Sequence, residues 1–222
     1  MTEKGRLYGV GVGPGDPELM TLKAVRLLQA CDVVAIPQRD PARCTALRIA
    51  AEAVPAIGEK PILALNMPMT RETEVRERAY AAAAKALTVA LDEGKTVAFL
   101  TLGDPTIYST YGYLHRRVVS AGYEAAFIPG VPSFCAAAAA LGEPLCLDEE
   151  PLHILPGASE AIQGTRVFMK GTVPNVRQTL KGHDGPVLGA ENVGMADQRL
   201  YWSLEQIPVD TGYFTLIIAK EN

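Results

Sequence analysis

Aromatic side chains are scarce in this sequence, at 6% of 222 residues with a single tryptophan. The core is therefore expected to be aliphatic, with alanine letting backbones approach closely. Clustered positive charge is missing too. Lys and Arg number 21 against 25 Asp and Glu, a formal charge of −4. No basic stripe with interleaved aromatics occurs, which argues against a nucleic-acid partner, because phosphate neutralisation needs grouped cations. The three histidines (His115, His153, His183) are far apart, and the four cysteines (Cys31, Cys44, Cys135, Cys146) form no C-x-x-C pair. No metal site is expected, and the cysteines read as reduced, small buried apolar groups. No apolar run approaches the ~20 residues of a membrane span. The opening MTEKGRLYGVGVG lacks the long apolar stretch behind a basic segment that marks a signal peptide. These absences lead to the expectation of a cytoplasmic protein without a membrane segment.

What is present alternates. Arg6–Val12 reads as a strand that breaks at Gly13-Pro14-Gly15-Asp16-Pro17, with a helix over Thr21–Ala30. Asp32–Ile36 is a β-branched strand, Asp40–Val54 a second helix, and Ile57–Leu65 leads into an extended piece. Arg71–Leu91 is rich in helix formers and free of breakers. Thr96–Thr101 is a buried strand entering Leu102-Gly103-Asp104-Pro105, and a helix follows over Ser109–Ala121. Strand alternating with helix predicts a parallel α/β sheet with right-handed crossovers. Beyond Gly122 the texture changes. Glu124–Ile128, His153–Leu155, Arg166–Met169, Pro186–Ala190, Gln198–Ser203 and Tyr213–Ala219 read as strands. Ser133–Leu141, Asn175–Leu180 and Ser159–Gln163 read as helices. The expected division is an α/β domain over 1–120 and a mixed α+β domain over 121–222.

The segment G-V-G-V-G-P-G-D-P at 9–17 superficially offers a dinucleotide fingerprint. It has Asp16 where the third glycine should stand, and Pro14 removes an N–H from any phosphate cradle. A Walker lysine is missing as well. The loop L-G-D-P-T-I-Y-S-T-Y at 102–111 again follows a buried strand and opens a helix. Ligands in open α/β sheets bind outside the carboxyl ends of strands, where both loops lie. Asp104 has two readings: a carboxylate for an ammonium or ribose hydroxyls, or the N-cap of the next helix.

G-V-G-P-G-D-P-E-L-M-T-L-K-A at 11–24, T-L-G-D-P-T-I-Y-S-T at 101–110 and I-P-G-V-P-S-F at 128–134 resemble the tetrapyrrole (corrin and porphyrin) methylase family. V-F-M-K at 167–170, E-N-V-G at 191–194 and Y-F-T-L-I-I-A at 213–219 continue the resemblance in order, over essentially the whole chain. It implies a two-domain fold, an N-terminal parallel α/β domain followed by a mixed α+β domain, with the cofactor in the cleft. The implied cofactor is S-adenosyl-L-methionine, leaving as S-adenosyl-L-homocysteine, and the implied assembly is a homodimer. Carried over by position, Pro14 borders the cofactor. Leu102, Gly103, Asp104 and Ile107 line its methionine part, and Pro132, Ser133, Met169 and Val193 close on the adenosine. Pro132-Ser133 stands where several relatives have Thr-Ala.

With A-L-N-M-P-M-T at 64–70, the motifs look most like the branch methylating C20 of precorrin-2 or cobalt-factor II in cobalamin synthesis. Uroporphyrinogen III methyltransferases typically carry an acidic residue after the second strand, where Pro37 stands here. The alternatives are another methylation site on corrin or uroporphyrinogen III and, in a different class, a non-catalytic nucleotide-binding module. Positioning a sulfonium methyl in line with an electron-rich carbon supplies most of the rate, so no activated nucleophile is required. Glu191, Tyr108 and Tyr111 are candidates for accepting the proton lost afterwards, and none is assigned. Arg39, Arg43, Arg48, Arg71, Arg116 and Arg117 are available for the carboxylates of such a substrate, and Met67 and Met69 for an apolar floor.

Overall fold

The computed structural model describes residues 3–157, 162–169 and 173–221. The chain divides into two compact units, Met1–Val131 and Pro132–Asn222. In the first, β1 (Arg6–Gly11), β2 (Val33–Ile36), β3 (Ile62–Ala64), β4 (Val97–Thr101) and β5 (Glu124–Ile128) form one sheet. Its order is β3-β2-β4-β1-β5, and every pairing is parallel. The helices α1 (Leu22–Ala30), α2 (Thr45–Ala53), α3 (Thr73–Asp92) and α4 (Tyr111–Ser120) supply the crossovers.

Side chains alternate across the central strands, so each strand feeds two cores. Val10, Val34, Ile36, Ala98 and Leu100 pack with Ala24 and Leu28 of α1 and Ile49 and Ala50 of α2. Leu7, Val33, Ala35, Val97 and Phe99 pack with Leu87 and Leu91 of α3 and Leu114 and Val118 of α4. Burial on both faces is why these strands read as near-continuous apolar runs. Full burial of Phe99 contributes about 1.5–3 kcal/mol. The ion pairs Arg6–Glu124 and Arg117–Glu77 are partly exposed and contribute little.

The connection from β1 runs across β4 to β2, and that from β4 runs back across β1 to β5. With right-handed crossovers, opposite directions put α1 and α4 on opposite faces, and their loops diverge at adjacent carboxyl ends. That topology, rather than any one motif, singles out the β1 and β4 loops.

The second unit has β6 (Leu152–Leu155), β7 (Thr165–Phe168), β8 (Val187–Glu191), β9 (Arg199–Tyr201) and β10 (Thr215–Ala219), with α5 (Ser133–Leu141) and α6 (Val173–Thr179). The sheet order is β6-β7-β10-β8-β9. The β6–β7 pair is parallel, and the other pairs are antiparallel. Phe168, Val173, Val176, Leu180, Tyr201, Ile207 and Ile217 form its core.

Several local expectations change. Asp40–Val54 is two elements, because Pro41 opens a 3-10 turn capped by the Asp40 carboxylate, which accepts from Ala42 N at 3.0 Å. Cys44 is then extended before α2 begins. Residues 55–59 form another 3-10 turn, leaving only Ile62–Ala64 as strand. Glu124–Ile128, expected beyond the division at 120, pairs in parallel with β1, so the first unit extends to Val131. Cys31 and Cys44 are buried, whereas Cys135 and Cys146 are exposed. Of the helix expected at Ser159–Gln163, residues 159–161 lie outside the described residues. No described helix is long and apolar enough to cross a membrane.

Candidate active site

The two Gly-Asp-Pro loops lock onto each other. Gly103 N donates to Gly13 O at 2.8 Å and Gly13 N to Gly103 O at 3.4 Å, a single antiparallel bridge beyond the parallel pairing. Val12 N donates to Thr101 O at 3.0 Å just before it. The loop after β5 joins them. A Cβ on Gly130 would stand 2.3 Å from Gly103 O, and one on Gly11 would stand 2.6 Å from both Gly103 O and Gly130 N. Three backbones therefore meet at a spacing no side chain allows.

Asp104 holds this junction. It is 9% exposed. Its Oδ1 accepts from Thr106 N at 2.7 Å and from the Thr106 hydroxyl, and its Oδ2 accepts from Gly130 N at 2.9 Å. The α4 N-cap is Thr110, and Ser109 Oγ accepts from Tyr111 N at 3.1 Å. Asp104 thus clamps the β4 loop to the β5 loop and caps no helix. Among the described residues no cationic side chain pairs with it, and loops 12–17 and 102–107 contain no Lys or Arg. A buried carboxylate held only by neutral donors leaves a negative potential, favourable to a cation and unfavourable to phosphate. With two acceptor positions per oxygen, Oδ2 retains capacity for one more donor. A sulfonium or ammonium group suits these loops, and a polyphosphate does not.

The other sequence-derived residues fall into two groups. Pro14, Leu102, Gly103, Asp104 and Ile107 lie on the β1 and β4 loops, with Pro14 buried and Leu102 and Ile107 half-buried. In the second unit Pro132 and Ser133 open α5, where Pro132 O accepts from Cys135 N at 3.1 Å. Met169 directly follows β7, its N donating to Leu155 O at 2.9 Å, and buried Val193 follows β8. Since β7 and β8 both run antiparallel to β10, Met169 and Val193 share one edge of that sheet.

The proton-acceptor candidates separate on geometry. Tyr111 is fully buried, and its hydroxyl donates to Ala126 O at 2.7 Å. Burial pushes its phenol well above the ordinary tyrosine range. Glu191 is buried and occupied, accepting from Gly212 N at 2.8 Å and from the Tyr201 hydroxyl at 3.2 Å. It organises the loop before β10. Tyr108 is 45% exposed at the tip of the β4 loop.

The arginines also sort by position. Arg39 and Arg43 lie on the loop after β2 and Arg71 on the loop after β3, at the same carboxyl edge as the glycine loops. Arg48 is on the first turn of α2. Arg116 and Arg117 sit with Ser120 and Ala121 toward the far end of α4, and Arg117 is engaged with Glu77. Met67 packs under α3, while Met69 is 78% exposed. His115 stacks on Phe127 at 4.5 Å. Among the described residues no group of three His, Cys, Asp or Glu side chains converges as a metal site. Sequence reasoning missed the Asp104–Gly130 clamp and the Gly13–Gly103 bridge. The signal available in the sequence was glycine shortly after three of the five strands, Gly13, Gly103 and Gly130, and these three strands are neighbours only in the folded sheet.

Residues 6–208 match the family model described as Tetrapyrrole (Corrin/Porphyrin) Methylases. A precorrin-2 C(20)-methyltransferase from Sinorhizobium sp is 33% identical, over 97% of this chain and 95% of its own. A probable cobalt-precorrin-2 C(20)-methyltransferase from Methanocaldococcus jannaschii is 32% identical, over 97% and 96%. Mycobacterial relatives named cobalamin biosynthesis protein CobIJ are 33% identical over 97% of this chain, which spans only 46% of their length. A crystal structure of uroporphyrin-III C-methyltransferase from Thermus thermophilus with S-adenosyl homocysteine aligns with a TM-score of 0.67 and 25% identity, covering 98% of each chain.

Proposed function

Because this chain belongs to the tetrapyrrole (corrin/porphyrin) methylases, we propose that it is an S-adenosylmethionine-dependent C-methyltransferase of cobalamin synthesis. Its proposed substrate is precorrin-2 or the cobalt-bearing counterpart, and its target the C20 bridging carbon. The observation that carries this reading is the pair of loops bridged at Gly13–Gly103 beside a buried carboxylate that has no cationic partner among the described residues. It stands in a chain whose likeness to the Sinorhizobium enzyme covers both proteins nearly end to end.

The cofactor, when bound, supplies an electrophilic methyl on sulfonium. The protein's own part is positioning, which is enough when the reacting atoms are brought to roughly 3–3.5 Å in line. Pro14, Leu102, Gly103 and Ile107 are the proposed neutral walls around the methionine part, and Asp104 fixes their geometry while adding negative potential. Pro132, Ser133, Met169 and Val193 are the proposed contacts of the adenosine. Arg39, Arg43 and Arg71 are the proposed rim for the carboxylates of the macrocycle, a task that guanidinium groups suit. Transfer breaks the sulfur–methyl bond, forms the C20–methyl bond and releases a proton from C20 to water or an exposed group.

The same reading has the enzyme working in the cytoplasm and as a homodimer, and light scattering on a gel-filtration peak tests the dimer. The class of ligand is tested by calorimetric titration with S-adenosylhomocysteine, S-adenosylmethionine, ATP and NAD. Binding of the first two alone is expected. Tight ATP or NAD binding with no response to S-adenosylhomocysteine would leave a nucleotide-binding module instead.

A further inference from the structure

Three described residues other than glycine have φ in the left-handed region: Tyr108 (φ 47°), Asp148 (φ 46°) and Asn192 (φ 52°). Asp and Asn tolerate that region through their short polar side chains, whereas a bulky aromatic there is an outlier. Both flanks hold Tyr108 in place. Before it, Thr106 N donates to the Asp104 carboxylate and Ile107 N to Asp104 O at 3.3 Å. After it, Ser109 Oγ accepts from Tyr111 N and lies 3.3 Å from Thr101 Oγ1. Strain persists where its surroundings over-determine it, and such places are often functional. Glycine would make this turn without strain, so what tyrosine adds is its side chain.

That side chain has no counterpart at this edge. The loops at the carboxyl ends of the first sheet, residues 12–21, 37–44, 65–72, 102–110 and 129–131, contain no other aromatic. Tyr108 remains 45% exposed, while Tyr111, three residues on, is fully buried. We propose that the Tyr108 ring is a substrate-contacting surface, held out by the strained turn so that its face packs against the conjugated macrocycle. Flat π-systems stack favourably on aromatic faces, largely without regard to substituents. This inference rests on the tetrapyrrole reading above.

The test compares Tyr108→Phe and Tyr108→Gly with the parent enzyme. Steady-state kinetics on precorrin-2, S-adenosylhomocysteine calorimetry and thermal melts are run on the same samples. Tyr108→Phe keeps the ring and is expected to hold KM for precorrin-2 within about twofold. Tyr108→Gly relieves the turn and is expected to melt no lower than the parent. Its KM should rise about tenfold, the scale of one stacked base, with S-adenosylhomocysteine affinity unchanged. Parental KM in Tyr108→Gly overturns the inference. So does an equal loss in both variants, which would point to the hydroxyl, and so does a lowered melting temperature in Tyr108→Gly, which would make the residue structural. Failure of the parent itself to bind S-adenosylhomocysteine would instead overturn the underlying methyltransferase reading.

Discussion

Replacing Asp104 by Asn changes one atom's chemistry and leaves the side chain's shape intact. The amide oxygen still accepts from Thr106 N and the Thr106 hydroxyl, but the amide nitrogen then meets Gly130 N donor to donor, where a 2.9 Å hydrogen bond stood. A hydrogen bond to a charged acceptor contributes about 1.5–3 kcal/mol, and leaving a donor unsatisfied adds to the loss. Gly130 is only half-buried, so water recovers part of it, and the expected cost is about 2 kcal/mol. For a chain of this size each kcal/mol moves Tm by roughly 2–4 °C, so calorimetric melts should fall by about 4–8 °C. Asp104→Ala loses all three hydrogen bonds and should fall further. S-adenosylhomocysteine affinity should drop about tenfold in Asp104→Asn, equivalent to 1.4 kcal/mol, as the Gly130 backbone leaves Gly103. A Tm within about one degree of the parent would refute the clamp. Unchanged Tm with a large loss of affinity would mean that the carboxylate serves the ligand alone.

Other consequences follow from the same geometry. Gly130→Ala puts a Cβ 2.3 Å from Gly103 O and should cost about 1–3 kcal/mol by overpacking. Gly112→Ala meets nothing within 4 Å on helix α4 and should gain about 0.5–1 kcal/mol, so equal melts for the two would contradict the packing argument. Burial keeps the Tyr111 phenol protonated in the folded protein beyond the range where the unfolded chain ionises. Above about pH 10 the unfolded state binds fewer protons, so stability should fall as pH rises. Tyr111→Phe should flatten that alkaline limb in denaturant titrations, and an unchanged slope would assign it to other groups. Arg39→Ala, Arg43→Ala and Arg71→Ala should each raise KM for the tetrapyrrole by up to about fivefold, the scale of an exposed ion pair at 1 kcal/mol. Arg116→Ala should leave KM unchanged, and an equal effect there would remove the proposed rim.

The parallel sheet of the first unit was legible because each buried strand carries a dense apolar run and each crossover a helical stretch. Val97–Thr101 and Val33–Ile36 stand within a residue of where their β-branched content placed them. The errors sit where short-range chemistry overrides periodicity. Pro41 and Pro55 convert helix-like and strand-like stretches into 3-10 turns, and β5 joins the first sheet through long-range pairing that local texture does not encode. At the site, the sequence indicated which loops matter and not what their residues do. Asp104 looked like a cap or a ligand, and its three-point clamp depends on bringing Gly130 within 2.9 Å across 26 residues. Glu191 and Tyr111 were plausible proton acceptors until burial and their hydrogen bonds placed them in structural roles. Tyr108 became distinctive only through its φ, which no single-sequence pattern reports.

The most direct test of the central claim is to incubate the protein with S-adenosylmethionine carrying a 13C-labelled methyl, together with precorrin-2 or its cobalt form, and to locate the label by NMR. One labelled methyl on C20 and stoichiometric S-adenosylhomocysteine are expected. Label at any other carbon would contradict the C20 assignment, and no transfer to either substrate would contradict the proposed activity on this pair.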